Sequence, residues 1–333
     1  MPAALVTGAT GQVGMHMVQR LQRDGWAVRA LVRDPAAAGA LQATGVALTV
    51  GDVQDAVSFA RAARECEVVF HTAAAVTPRG GWEAFQRPNV EGTRNAIAAV
   101  VASGSRLVHV SSVAVYGGAA RYREGMKTSE DAVLAPLSDN SWYARSKRDS
   151  EALVLDAHRE GRIWATAVRP DVIYGRYDRQ FVPRLARLLR HGLAPIIGGG
   201  QSTMAIVHAE NVAVGMVRAA STDAAGGRAY NLANDHDVTV SDFFRLAGEG
   251  LGLRLRRVRV PYVIAKGAER AVFRMTRLLT GKRISGVSFS AVDFLGRDNP
   301  FSSERARREL GWDPPVRPDV GIPDAFRWWA THS

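Results

Sequence analysis

The sequence predicts an α/β fold: a doubly wound parallel sheet followed by a smaller C-terminal α/β substrate domain. Three observations predict it. Over the first 170 residues short apolar runs alternate with helix-type segments, the alternation that builds parallel sheets. The runs are continuously apolar, as in strands covered on both faces. Glycine recurs where helices should end, at Gly25, Gly45, Gly104 and Gly161, the position that needs a left-handed cap.

In order, AALVTG is the first strand and GMHMVQRLQRDG the first helix. AVRALVR with PAAAGALQATG, and ALTVGD with SFARAAREC, give the next two pairs. EVVFHTAAA, RNAIAAVVASG, RLVHVSS, a helix from Tyr143 to Arg159, and WATAVRP complete the array. After Gly175 the rhythm changes. FVPRLARLLRHG, a glycine cluster and VHAENVAVGMVRAA precede AYNLA, a strand expected to return to the main sheet near 228–234. The remainder is expected to be helical and basic, closing on LGWDPPVRPDVGIPDAFRWWA.

The chain has 333 residues, one cysteine (Cys66) and a net charge of +11. A lone cysteine excludes an internal disulfide framework and multi-cysteine metal sites; no metal is expected. MPAALVTGATGQVG has no basic leader, so no signal peptide is expected. No apolar run reaches the length of a membrane-spanning helix, and the cytoplasm is the expected compartment. The charge is uneven: residues 251–283 hold ten Lys or Arg against one acid, Glu269.

TGATGQVG at 7–14 lies between the first strand and the first helix, the context of a dinucleotide-binding glycine loop. Gly8 can make the tight turn, Gly11 lets backbone approach a pyrophosphate, and Gly14 permits close helix packing. Thr10, Gln12 and Val13 fill the loop between them, and the helix N-terminus favours the phosphates. Residues 1–175 are therefore expected to form an NADP-binding Rossmann domain, with 176–333 the substrate-binding region. The end of the second strand separates NADP from NAD. It reads LVRDP, where Asp34 before Pro35 suits a helix cap and leaves Arg33 for a 2′-phosphate. NADP is expected, with NAD the alternative. Asp52 and Val53 end the third strand where adenine could lie. Small Ala73 and Ala74 end the fourth.

Two Tyr-x-x-x-Lys pairs occur, Tyr143/Lys147 in YARSK and Tyr262/Lys266 in YVIAK. At i and i+4 the side chains share a helix face, and a neighbouring ammonium lowers a phenol's pKa. Tyr143 follows HVSSVAVYG, a strand ending in serines at the edge of the expected cofactor crevice. Tyr262 follows Pro261 in the basic tail. Tyr143/Lys147 is the working pair, and YVIAK is a helix start with no such role.

With TGATGQVG, GDV, HTAAA, PNVEGTRN, VSSVAVYG, YARSK, VRPDVIYG, VHAENVA, AYNLA and RRELGW in hand, the chain resembles the extended short-chain dehydrogenases/reductases. The resemblance covers nearly its whole length. It implies a catalytic Ser112, four residues before Tyr116, acting with Tyr143 and Lys147. Pro170 and Val172 match the loop beneath the nicotinamide. Asn89 matches an asparagine that some members use in a proton relay, and a helix-interior role is the equal alternative. His71, His109 and His208 are expected to be structural.

Within the family, AVRALVRDP, RYDRQFVPRLARLLRHG and VHAENVA are similar to the 3β-hydroxysteroid dehydrogenase-like and dihydroflavonol reductase-like branches. Nucleotide-sugar members usually carry an acid at the second strand end and an Asp where Asn211 stands. The expected substrate is thus an apolar, sterol- or lipid-like β-keto or β-hydroxy compound. The rivals are a nucleotide-sugar epimerase or reductase and a redox-sensing or nucleic-acid-binding Rossmann protein. The latter lacks an aromatic-plus-basic platform. A homodimer is compatible with the sequence. In 262–279, Ile264, Ala268, Ala271, Val272, Met275, Leu278 and Leu279 oppose a stripe of Lys266, Arg270, Arg274 and Arg277. Either that helix packs on the pocket with a solvated basic face, or it lies on an anionic membrane.

Overall fold

The computed structural model describes residues 1–117, 127–233, 235–280 and 290–333, and the side chains of 277–280 lie outside that description. Among the described residues there are eleven strands: β1 (Ala3–Thr7), β2 (Ala27–Val32), β3 (Ala47–Val50), β4 (Val68–His71), β5 (Arg106–Val110), β6 (Ala165–Pro170), β7 (Val172–Tyr174), β8 (Leu193–Ile197), β9 (Ile206–His208), β10 (Ala229–Leu232) and β11 (Arg256–Val260). Seven form one parallel sheet in the order β10-β6-β5-β4-β1-β2-β3. The order reverses at β1, between β4 and β2, where an open α/β sheet has its ligand crevice.

Strand residues alternate between two cores, as a period of two demands. Val6, Phe70 and Val108 join Met17, Val212, Met216 and Trp312 on one face. Leu5, Val69 and Leu107 join Phe59, Ile97, Val100 and Val154 on the other. Burial on both faces explains why these strands are apolar throughout. Edge strand β3 has no fully buried residue.

A further core gathers Phe243, Phe244, Phe326 and Trp329 with Tyr174, Val182, Ile196 and Phe294. Here the helix Pro318–His332 lies against Val240–Leu251. A Cβ on Gly250 would come within 2.5 Å of the Pro323 carbonyl oxygen, so only glycine permits the approach. The Trp-rich tail is tied down by Trp312, buried and donating its indole N–H to the Asn211 carbonyl at 2.9 Å.

One expectation fails. The basic tail is not wholly helical: RRVRV forms β11, parallel to β8. From Arg257 to Val260 Arg and Val alternate, a strand period embedded in a charged run. The helix that follows, Tyr262–Thr280, also departs from the expected packing on the pocket. Its apolar Ile264, Val272 and Met275 are 63%, 55% and 57% exposed, so they do not pack on a pocket. Lys266 belongs to no solvated stripe, because it is half-buried among Glu269, Ser290 and Asp293. Arg270 and Arg274 are exposed. Arg277, Leu278 and Leu279 lie outside the described side chains.

Candidate active site

The glycine loop leaves β1 through Gly8, whose φ of +65° only glycine adopts cheaply. The Gly11 N–H closes the turn onto the Gly8 carbonyl at 2.9 Å. A Cβ on Gly8 would fall 2.7 Å from the Ala73 backbone, and one on Gly14 2.2 Å from the Gly8 oxygen. The loop, the end of β4 and the helix Gln12–Arg23 are therefore in backbone contact. That helix starts at Gly11 with no capping side chain and no acid in its first turn. Its leading N–H groups and dipole are left for an anion. A dinucleotide pyrophosphate fits this cradle.

Around it stand the other expected contacts. Arg33 is exposed at the end of β2 and bonds no described residue. The Asp34 carboxylate accepts the Ala36 N–H at 2.9 Å, so it is spent on local capping. Asp52 and Val53 are half-buried beyond β3; the Asp52 carboxylate accepts the Gln54 N–H, and the Val53 carbonyl accepts Asn95. Ala73 is half-buried and Ala74 exposed. Pro170 is the last residue of β6, and Val172 begins β7 as the chain leaves the main sheet. Thr10 and Gln12 touch the segment beyond β7, through Arg179 to the Thr10 carbonyl and Gln12 to the Gly175 carbonyl.

Tyr143 and Lys147 lie on the helix Trp142–Arg159, Tyr143 half-buried and Lys147 2% exposed. Lys147 Nζ donates to the Val110 carbonyl at 2.7 Å, which brings this helix to the end of β5. Ser111 is buried there, while Ser112 is half-buried and caps the turn Val113–Tyr116 by accepting the Ala114 N–H at 3.1 Å. Its own O–H remains a donor. Burial pushes the Lys147 ammonium down to about 8, and the Glu151 carboxylate on the same helix pulls weakly the other way.

Asn89 sits in the wide helical turn Gln86–Glu91. Its amide oxygen accepts the Ala75 N–H at 2.7 Å, and its NH2 donates to the Ala75 carbonyl and to Ser146 Oγ, both at 2.9 Å. It thereby clamps the β4 end to the Tyr143 helix. The three histidines are bonded within the scaffold: His71 to Thr7 and Thr93, His109 to Ser150, and His208 to the Glu210 N–H. Burial holds His71 at about 3, and the nearby Lys147 charge adds to it.

Beneath Lys147 is a network that motif reading misses. Arg169 on β6 grips both oxygens of Glu151 (2.9 and 2.6 Å) and donates to Tyr116 Oη at 2.8 Å. Tyr116 Oη donates in turn to Asn231 on β10. Arg169 and Glu151 are both buried. One network thus joins the Tyr143 helix, the Ser112 turn, the strand ahead of Pro170 and the returning strand. Two signals were present: Glu151 is four residues after Lys147, and Arg169 immediately precedes Pro170.

Residues 4–233 match the NAD dependent epimerase/dehydratase family. A 4-hydroxy-2-methyl-3-oxo-4-farnesyl-3,4-dihydroquinoline-1-oxide ketoreductase from Stigmatella aurantiaca is 32% identical over 97% of this chain and 95% of its own. A 2-alkyl-3-oxoalkanoate reductase from Shewanella oneidensis is 28% identical over 96% of this chain and 84% of its own. Among solved structures, MoeE5 in complex with UDP-glucose and NAD superposes with a TM-score of 0.73 at 25% identity, covering 99% of both chains. The glycine cradle, the parallel sheet and these matches lead to one conclusion: the chain belongs to the NAD dependent epimerase/dehydratase family, the extended short-chain dehydrogenases/reductases, oxidoreductases acting on CH–OH groups.

Proposed function

We propose that this protein is an NADP-dependent reductase of apolar, lipid-like β-keto compounds, and catalyses the reverse oxidation of their secondary alcohols. Bound NADPH supplies the hydride that reduces the carbonyl carbon. As charge develops on the carbonyl oxygen, Tyr143 donates its phenol proton to it and the Ser112 hydroxyl hydrogen-bonds it. Of the three N–H donors on Lys147, one is spent on Val110 and two remain for the ribose of the cofactor. The buried ammonium also favours the phenolate four residues away, so Tyr143 can release and regain a proton. Asn89 acts by position, holding the β4 end against the catalytic helix.

The observation that carries this reading is the burial of a lysine, one turn from Tyr143, on the last carbonyl of β5 beside Ser112. The substrate class is supported by two relatives named for ketone reduction, one on a farnesylated ring and one on alkyl-oxoalkanoates. NADP is supported by exposed Arg33 beside an Asp34 that is already capping. A nucleotide sugar is the second reading, favoured by the likeness to MoeE5.

Two assays decide. NADPH oxidation should follow addition of a 2-alkyl-3-oxoalkanoate and not of UDP-glucose; isomerisation of the sugar without net NADPH use would reverse the choice. Arg33→Asp should collapse the preference for NADPH over NADH. An unchanged preference would remove Arg33 from the cofactor site.

A further inference from the structure

The helix Tyr262–Thr280 is mounted the wrong way round for a surface helix. Ordinarily the apolar face packs inward and charges face water. At 100° per residue, Tyr262, Lys266 and Glu269 share one side, and that side is held to the protein. Tyr262 Oη donates to Asp293 at 2.5 Å, and Lys266 Nζ to Asp293, Glu269 and Ser290 at 2.7–2.9 Å. A Cβ on Gly296 would lie 2.6 Å from the Tyr262 ring, which fixes the helix start on Ala291–Gly296. The opposite side carries Ile264, Ala268, Ala271 and Met275, with Val272 at its edge, all exposed. Among the described residues this 15-residue stretch also exposes Val263 at 80% and Phe273 at 40%.

The flanks are cationic. Arg270 and Arg274 share a side with Val263 beside the apolar face, and exposed Arg254, Arg256, Arg257 and Arg259 lead into the helix. The only acid between 254 and 276 is Glu269, already spent on Lys266 and Ser290. No Ser, Thr, Asn or Gln lies on the apolar side, so nothing there offers the directional hydrogen bonds of a protein partner. An apolar strip of small and aliphatic side chains edged by arginines that pair with no acid among the described residues matches a fluid apolar phase beneath a negative surface.

We propose that the helix Tyr262–Thr280 is a docking surface for an anionic lipid bilayer, inserting Ile264, Val272 and Met275 between headgroups that Arg270 and Arg274 contact. Phe294, from the short helix that anchors it, lies in the core of the C-terminal region. The docked helix would thus hold that region at the bilayer. The inference rests on the lipid-like substrate only in naming where it comes from; binding itself is measured without substrate.

The test is flotation of the full-length protein at low salt with phosphatidylglycerol-containing vesicles and with phosphatidylcholine alone. The protein should float with the first only, and release as salt rises. The triple variant Ile264→Ser/Val272→Ser/Met275→Ser should lose at least tenfold in binding, as should Arg270→Gln/Arg274→Gln. Both should keep their circular dichroism and NADPH-linked turnover of a soluble ketone, since none of these residues is in the reaction site. Failure of the wild type to float would overturn the proposal. So would undiminished binding of the serine variant, which would mean diffuse adsorption of the net charge. A dimer that the serine variant converts to monomer, with vesicles ignored, would assign the face to a second copy instead. None of these outcomes touches the reductase reading, which fails only on the turnover assay.

Discussion

The two Tyr-x-x-x-Lys pairs have the same spacing on the same kind of helix and opposite surroundings. Lys147 is buried at the end of β5 with one carbonyl partner, and its ammonium is pushed down to about 8. The nearest carboxylate, Glu151, is turned to Arg169. Lys266 is partly exposed and ringed by Glu269, Asp293 and Ser290. Burial lowers its pKa, but those partners outweigh burial and raise it. Tyr143 is half-buried one turn before Lys147, whereas Tyr262 donates to Asp293. Spacing puts the two groups on one face; the placement of carboxylates separates a buried lysine held by a backbone carbonyl from one that ties a helix down.

The largest expected difference concerns those carboxylates. Arg169→Gln leaves Glu151 buried and uncompensated, and should destabilise the protein by about 3–5 kcal/mol. Asp293→Asn, at the more exposed second pair, should cost under about 1 kcal/mol. Urea unfolding measures both, and equal losses would erase the contrast.

Activity comes next. Tyr143→Phe removes the proton donor while the ring still packs, so kcat/KM for ketone reduction should fall at least ~100-fold. Tyr262→Phe should stay within about twofold of wild type. If the second variant were the dead one, the assignment would be inverted.

The smallest effect is on the pH dependence of stability. Below about 8 Lys147 is charged in both states. Between about 8 and its unfolded value of 10.5, only the unfolded chain keeps the proton. Wild-type stability should therefore rise with pH across that window, by at most about 1.4 kcal/mol per unit, and Lys147→Met should abolish the rise. Lys266 has the opposite sign. Its contribution is present below 10.5 and lost as pH climbs through its raised value, and solvent screening keeps it to a few tenths of a kcal/mol, about what exposed pairs give. Slopes of the same sign for Lys147→Met and Lys266→Met would contradict the account.

Much of this was legible in the sequence because it is local. Strand and helix periods, a glycine loop between β1 and its helix, and an Asp-Pro cap beside Arg33 each lie within a few residues. What was not legible depends on which elements meet. RRVRV is too short, and too charged, for its strand period to stand out until β8 supplies a partner. Glu151 and Arg169 are 18 positions apart and pair only because the helix crosses β6. A helical wheel separates the faces of Tyr262–Thr280 but not which face its neighbours cover, and Asp293 reversed the expected choice for Lys266. Asn211 carries its reason in contacts a wheel cannot show. It donates to the Val316 carbonyl and accepts the Val316 N–H, which a carboxylate could not do.

The central claim is that Tyr143, Ser112 and Lys147 reduce a ketone by hydride transfer. The most direct measurement is single-turnover reaction of 4-deuterated NADPH with a 2-alkyl-3-oxoalkanoate, read by mass spectrometry of the product. The account predicts one deuterium on the new carbinol carbon from one face of the nicotinamide, and no labelled product on that timescale with Tyr143→Phe. An unlabelled alcohol, or full labelling by the Tyr143→Phe variant, would contradict it.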